Sequence, residues 1–96
     1  MVVNNKNSYP EKLIISPQCL YQELDSESVI LNMQSGLYYS LNEVGTYIWA
    51  MLVEERTLEE IIANIVTEFE VTVDQAQRDL FKLIQELLTS GLVEEA

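Results

Sequence analysis

Apolar and polar positions alternate with period two over the first half of the chain and recur with a helical period over the second. The alternation predicts strands at Cys19–Leu24, Ser28–Met33 and Leu37–Leu41. Asp25-Ser26-Glu27 supplies a polar turn between the first two. Gln34-Ser35-Gly36 links the last pair, where Gly36 can take the positive φ that a tight hairpin needs. At Asn42 the period changes. Asn is a strong N-cap type, because its side-chain oxygen accepts one of the unpaired N–H groups of a first helical turn. Val44, Ile48, Met51 and Leu52 then recur at helical spacing, flanked by Tyr47 and Trp49, to an end near Val53.

Two further helices follow. The second opens with Thr57 and Glu60, the spacing of a reciprocal capping box, and turns Leu58, Ile61, Ile62, Ile65, Val66 and Phe69 to one side. The third repeats the device with Thr72 and Gln75, adds a hydrophobic staple between Val71 and Ala76, and stops at Gly91, where a left-handed residue lets Leu92 fold back on Leu87. Three strands and then three helices predict an α+β fold. At 96 residues the chain has room for one core. The polar stretch Met1–Pro10 and the interruption at Pro17 assign residues 1–17 to a flexible arm, with at most weak pairing by Lys12–Ile15, and residues 18–96 to the domain.

On the third helix Val73, Ala76, Leu80, Leu83, Ile84 and Leu87 make one stripe at about 100° per residue. Phe81 and Leu88 fall beside it and widen the apolar face beyond what one neighbouring helix covers. Either the sheet or the first helix covers that flank, or it forms a groove for a partner. Leu37-Tyr38-Tyr39-Ser40 carries the same ambiguity. As an edge strand it presents unpaired N–H and C=O groups on which an extended peptide adds as another strand. Leu37, Tyr39 and Leu41 share one face, and Tyr38 and Ser40 the other.

Composition removes several function classes. Sixteen acidic residues against five basic ones give a net charge of −11, which repels phosphate backbones and argues against nucleic acid as a partner. The acidity serves solubility or the attraction of a basic peptide. There is no His, no Gly-rich phosphate loop and no ligand cluster with metal spacing, so neither a cofactor nor a metal site is expected. Cys19, the one cysteine, has no base beside it and reads as a small buried hydrophobe. Glu54/Glu55 and Glu59/Glu60 sit at helix ends, where solvation and the helix dipole account for them. Without a signal peptide or an apolar run of membrane length, a cytoplasmic location and no membrane contact are expected. The residues point to a non-catalytic binding module.

The run SGLYYSLNEVGTYIWAML, followed by RTLEEIIANIVTEFEV, an acidic amphipathic helix and a closing SGLVEE, resembles the PqqD-like family of peptide chaperones, the RiPP precursor peptide recognition elements. The resemblance covers about Cys19 to Glu94 and rests on Gly36, the step Tyr39–Asn42, Gly45, the pair Ile48-Trp49 and the capped Thr57/Ile61 helix. A short free-standing chain is most similar to the discrete leader-binding proteins of lasso-peptide biosynthesis.

That resemblance implies a winged helix-turn-helix-like fold that binds the leader segment of a precursor peptide beside the third strand, over the third helix. Carried onto this chain, the peptide-binding strand is Leu37, Tyr38, Tyr39 and Ser40. Helical positions Gln77, Arg78, Phe81, Ile84, Gln85 and Leu88 are added from the wheel. The implied enzyme partner is a transglutaminase-like leader peptidase or another modifying enzyme. Other readings stay open: a radical SAM partner, a winged-helix transcription factor, and a homodimer through the edge strand. Against the second, the presumptive recognition helix sets Asp79 and Glu86 against Arg78 and Lys82.

Overall fold

The computed structural model describes residues 12–95. Chain order is β1 (Leu13–Ile15), β2 (Cys19–Leu24), β3 (Glu27–Asn32), β4 (Leu37–Leu41), α1 (Glu43–Val53), α2 (Leu58–Phe69), α3 (Val73–Thr89) and β5 (Val93–Glu95). The expected α+β order is present: an antiparallel sheet β2-β3-β4 precedes three helices. Beside it β1 and β5 form a second, two-stranded antiparallel sheet, with Ile15 opposite Val93. The alternation missed this pair, since strands of three residues are too short to show a period. Leu13 is 1% exposed, so part of the segment assigned to an arm is core. The rest of that expectation, residues 1–11, lies outside the described residues.

β3 is the central strand and turns Ser28, Ile30 and Asn32 toward the helices. Pairing of Ile30 with Tyr39 and of Ser28 with Leu41 puts Leu37, Tyr39 and Leu41 on that same face. Leu31, opposite Leu20 and Tyr38, is on the other. The β3–β4 turn spans Met33–Gly36, one residue more than the sequence suggests, because Asn32 organises it. Its Oδ1 accepts from the N–H groups of Gln34 (2.9 Å) and Ser35 (3.3 Å), and its carbonyl accepts from Gly36 N–H (2.7 Å), with Gly36 at φ 78. Asn32 Nδ2 then donates to the carbonyl of Ser90, at the end of α3 (2.9 Å). A buried amide thereby satisfies a turn and a helix terminus at once.

Asn42 caps α1 by accepting from Gly45 N–H (2.9 Å), and Thr57 with Glu60 completes the capping box of α2. At α3 the box is half made. Thr72 accepts from Gln75 N–H, but the Gln75 amide donates to Asp79 Oδ1 one turn on (2.9 Å). α1 and α3 both end in Schellman motifs. For α3, Leu92 N–H donates to the Leu87 carbonyl (3.0 Å) and Gly91 N–H to that of Leu88 (3.1 Å), burying Leu87 and Leu92 as expected. For α1, Arg56 N–H donates to Met51 (3.2 Å) and Glu55 N–H to Leu52 (2.9 Å), with Glu55 in the left-handed region at φ 58.

The core joins Ile30, Ile48, Leu52, Ile61, Ile65, Leu80, Ile84 and Leu87, all essentially inaccessible. Tyr21 stacks on Trp49 (ring centroids 5.9 Å apart) and Tyr47 meets Phe69 edge-on (5.3 Å), tying α1 to β2 and to α2. Ser28 and Thr46 share a buried hydrogen bond of 2.8 Å between sheet and helix. The stripe of α3 is narrower than predicted: Val73 is 52% exposed and Leu83 only half-buried. Among the described residues no helix is long and apolar enough to cross a membrane.

Two stability changes follow. Glu55→Gly relieves a left-handed L-residue and raises stability by about 0.5–1 kcal/mol. Asn32→Ala strands the Ser90 carbonyl and opens the turn, costing about 2–3 kcal/mol. Urea unfolding monitored by circular dichroism checks both, as a rise and a fall in the midpoint.

Candidate functional site

Among the described residues β4 is the last strand of its sheet, hydrogen-bonded on one side to β3. Next to it lies an open groove of about 600 Å³. Tyr39, Ser40 and Leu41 form its strand wall, Val44, Gly45 and Ile48 of α1 its end, and Asp79, Lys82, Leu83 and Glu86 its helical wall. The strand runs straight into α1 with no loop between. That continuity requires close packing: a Cβ at Gly45 would come within 3.0 Å of Leu41 Cδ2 and 3.4 Å of Asn42 Oδ1.

Tyr39 reaches across the groove and donates its hydroxyl proton to the Glu86 carboxylate. Burial, reinforced by the hydrogen bond and charge of Glu86, pushes the Tyr39 phenol up to about 12. The groove has an apolar floor (Leu41, Val44, Ile48, Leu83) and a charged rim of Glu27, Asp79 and Glu86 with one cation, Lys82. This arrangement can seat alternate side chains of an extended chain whose backbone pairs with β4.

The candidate residues taken from sequence divide. Tyr39 and Ser40 line the groove. Leu37 and Tyr38 lie on the same strand, 71% and 72% exposed. On α3 the groove lies on the flank opposite the one that the wheel favours. Counted at about 100° per residue from the buried Ala76, Leu80, Ile84 and Leu87, Phe81 and Leu88 lie to one side and Leu83, Asp79 and Glu86 to the other. The groove uses the second side. Ile84 is 0% exposed and belongs to the core, so it cannot meet a ligand without unfolding. Gln77 lines a different hollow, with Val73 of α3 and Ile62 and Val66 of α2. Phe81 and Leu88 are half-buried against the core, and Arg78 and Gln85 are exposed but do not line the groove. The missed residues Asp79, Lys82, Leu83 and Glu86 follow helical spacing, a signal present in the sequence but masked because Leu83 reads equally well as core.

Cys19 is half-buried; its thiol donates to the Leu92 carbonyl (3.4 Å), and burial pushes it up, away from nucleophilic reactivity. Among the described residues no group of three or more His, Cys, Asp or Glu is placed to hold a metal ion.

Comparison with known proteins addresses the same segment. The family described as Coenzyme PQQ synthesis protein D (PqqD) matches residues 27–93, from the start of β3 to the start of β5. The solved structure described as "TbiB1 in Complex with the TbiA(beta) Leader Peptide" is 34% identical, with a TM-score of 0.81, and the match covers 86% of this chain and 96% of that one. A second, "Lasso peptide synthetase B1 complexed with the leader peptide", shares the fold at 24% identity and a TM-score of 0.78, over 85% and 96% of the two chains. No curated protein matches the chain. With an edge strand, a capped helix and a groove between them all inside the matched segment, the chain belongs to the PqqD family.

Proposed function

We propose that this protein binds the leader segment of a ribosomally synthesised precursor peptide by strand addition to β4 and presents the peptide to a modifying enzyme. The observation that carries the reading is the open groove beside the β4 edge, in a chain 34% identical to TbiB1, a protein whose structure holds a leader peptide. Main-chain pairing along Leu37–Ser40 supplies register and a large share of the affinity. Alternate leader side chains drop toward Leu41, Val44 and Leu83 and supply selectivity, while Lys82 is placed to meet a leader carboxylate.

The role is presentation rather than chemistry. Holding the leader raises the local concentration of the attached core peptide at the enzyme to about the millimolar range of short tethers, so that a weak enzyme–substrate contact suffices. The partner we favour is the transglutaminase-like leader peptidase of a lasso-peptide pathway. A radical SAM peptide-modifying enzyme is the second reading, favoured by the family match to a coenzyme PQQ synthesis protein. Assays of each purified enzyme with precursor and this protein separate the two.

Isothermal titration with synthetic leaders tests the groove. Leu83→Asp weakens leader binding by about 1–3 kcal/mol, while Phe81→Ala on the other flank changes it by less than about 0.5 kcal/mol. The opposite ranking moves the ligand to the sequence-derived set around Phe81 and Leu88.

Tyr39 gives a second check, with a definite sign. Its phenol is raised in the folded state, so its contribution to stability is fully present below the ordinary phenol value of about 10 and is lost as pH climbs toward about 12. Near-ultraviolet absorbance titration should show a late-ionising tyrosine that is lost in Tyr39→Phe, beside Tyr21, which burial also raises, and the variant's stability should fall less steeply than the parent's across that interval.

A further inference from the structure

β4 turns Leu37, Tyr39 and Leu41 toward the helices, opposite Asn32, Ile30 and Ser28 of β3. Their surroundings differ. Leu41 is 4% exposed at the α1 end of the groove, whereas Leu37, on the same face two positions before Tyr39, is 71% exposed. Between them Tyr39 donates its hydroxyl proton to Glu86 of α3. The groove ends at that pair: its lining begins on β4 with Tyr39, finishes on α3 with Glu86, and includes neither Leu37 nor any of residues 87–90. Tyr39 is thus a bar laid from strand to helix. Leu41, Val44, Ile48 and Leu83 floor the groove on one side of it, and a bare leucine stands on the other.

We infer that the Tyr39–Glu86 bar sets the register of the leader by size: a leader strand on β4 carries a small residue, Gly, Ala or Ser, facing the bar, and a large apolar residue two positions to either side. The inference rests on the leader-binding reading above and adds the class of leader sequence accepted. Strand geometry gives the spacing. Side chains alternate across a sheet, so the inward leader positions beside Leu37, Tyr39 and Leu41 are two residues apart whichever way the leader runs. Occupancy gives the sizes. At the α1 end the open groove has room for a large side chain over Leu41, Val44 and Leu83. At the middle position that room is taken by the Tyr39 phenol and the Glu86 carboxylate, and a large side chain has to break their hydrogen bond to enter. Past the bar, a large side chain covers Leu37, since direct cross-strand neighbours stand about 5 Å apart. A strand slipped by one residue turns the whole pattern to the outer face, and one slipped by two sets a large side chain on the bar. Both errors that backbone pairing alone permits are therefore penalised.

The test uses the full chain and a synthetic leader of a lasso-peptide precursor that the parent binds in isothermal titration. Leu is placed at each leader position in turn, and the loss of affinity is mapped for the parent, Tyr39→Ala and Glu86→Ala. Glu86 is exposed on α3, so its replacement keeps the fold even if loss of the Tyr39 ring does not. In the parent, one position flanked two residues away on each side by large apolar residues should lose roughly tenfold in affinity. In both variants the loss at that position alone should shrink to about threefold or less. Leu37→Gln should leave this penalty in place and abolish the advantage of a large apolar residue over Ala at one flanking position. A map that Glu86→Ala and Tyr39→Ala share with the parent at every position overturns the inference and leaves the leader reading standing. So does a parent that accepts Leu at the middle position without loss. Failure of the parent to bind any synthetic leader removes the reading and this inference together.

Discussion

One buried side chain sets the frame of the groove. Asn32 closes the β3–β4 turn through its oxygen and holds the Ser90 carbonyl at the end of α3 through its nitrogen. β4 and α3 are far apart in sequence and run in opposite directions along the groove, so their separation has to be fixed by contacts between them. Asn32 fixes it where β4 begins and α3 ends. The Tyr39–Glu86 hydrogen bond spans it midway, and the close approach of Gly45 to Leu41 fixes the far end through α1. Three short-range constraints thus hold a strand edge at a constant distance from a helix face. An interior packed at crystal-like density cannot absorb a change in one of them without moving its neighbours.

How much of this the sequence shows depends on the length and uniqueness of each signal. The β2–β4 strands and all three helices are legible because each carries several periods or a cap with a known bonding pattern, such as Thr57 with Glu60. β1 and β5 are not. Each is three residues long, and their pairing joins residue 13 to residue 95, a contact with no local trace. The extra turn residue, Met33, is also invisible, because Asn32 reads as strand by its neighbours and as a turn former only once its side-chain partners are known.

The site was half legible for a related reason. An edge strand followed at once by an N-cap fixes where an added peptide has to lie, and Tyr39 and Ser40 are on the groove wall. On α3 the choice between two flanks rests on which side α2 takes. Hydrophobicity favours the flank with Phe81 and Leu88, but half-buried apolar side chains packed against the core are what a core margin looks like. The groove flank carries Asp79, Lys82 and Glu86 around a single Leu83, a composition that from sequence reads as a solvated helix face. A recognition groove that must stay open in water needs such a rim, so the more polar flank is the physically sensible one.

An open edge strand is also a hazard, since it invites pairing with another copy of the same chain. β4 has none of the usual guards: no lysine, no proline and no bulge in Leu37–Leu41. Protection comes from charge instead. Glu27, Asp79 and Glu86 border the edge, and the chain as a whole carries −11. Two copies brought edge to edge would place these carboxylates in apposition, at a cost that grows as their water is displaced. An incoming peptide without that acidic density escapes the penalty and gains the same backbone hydrogen bonds. The same acidity therefore lets a strand edge without lysine or proline discriminate a foreign extended segment from a sister molecule.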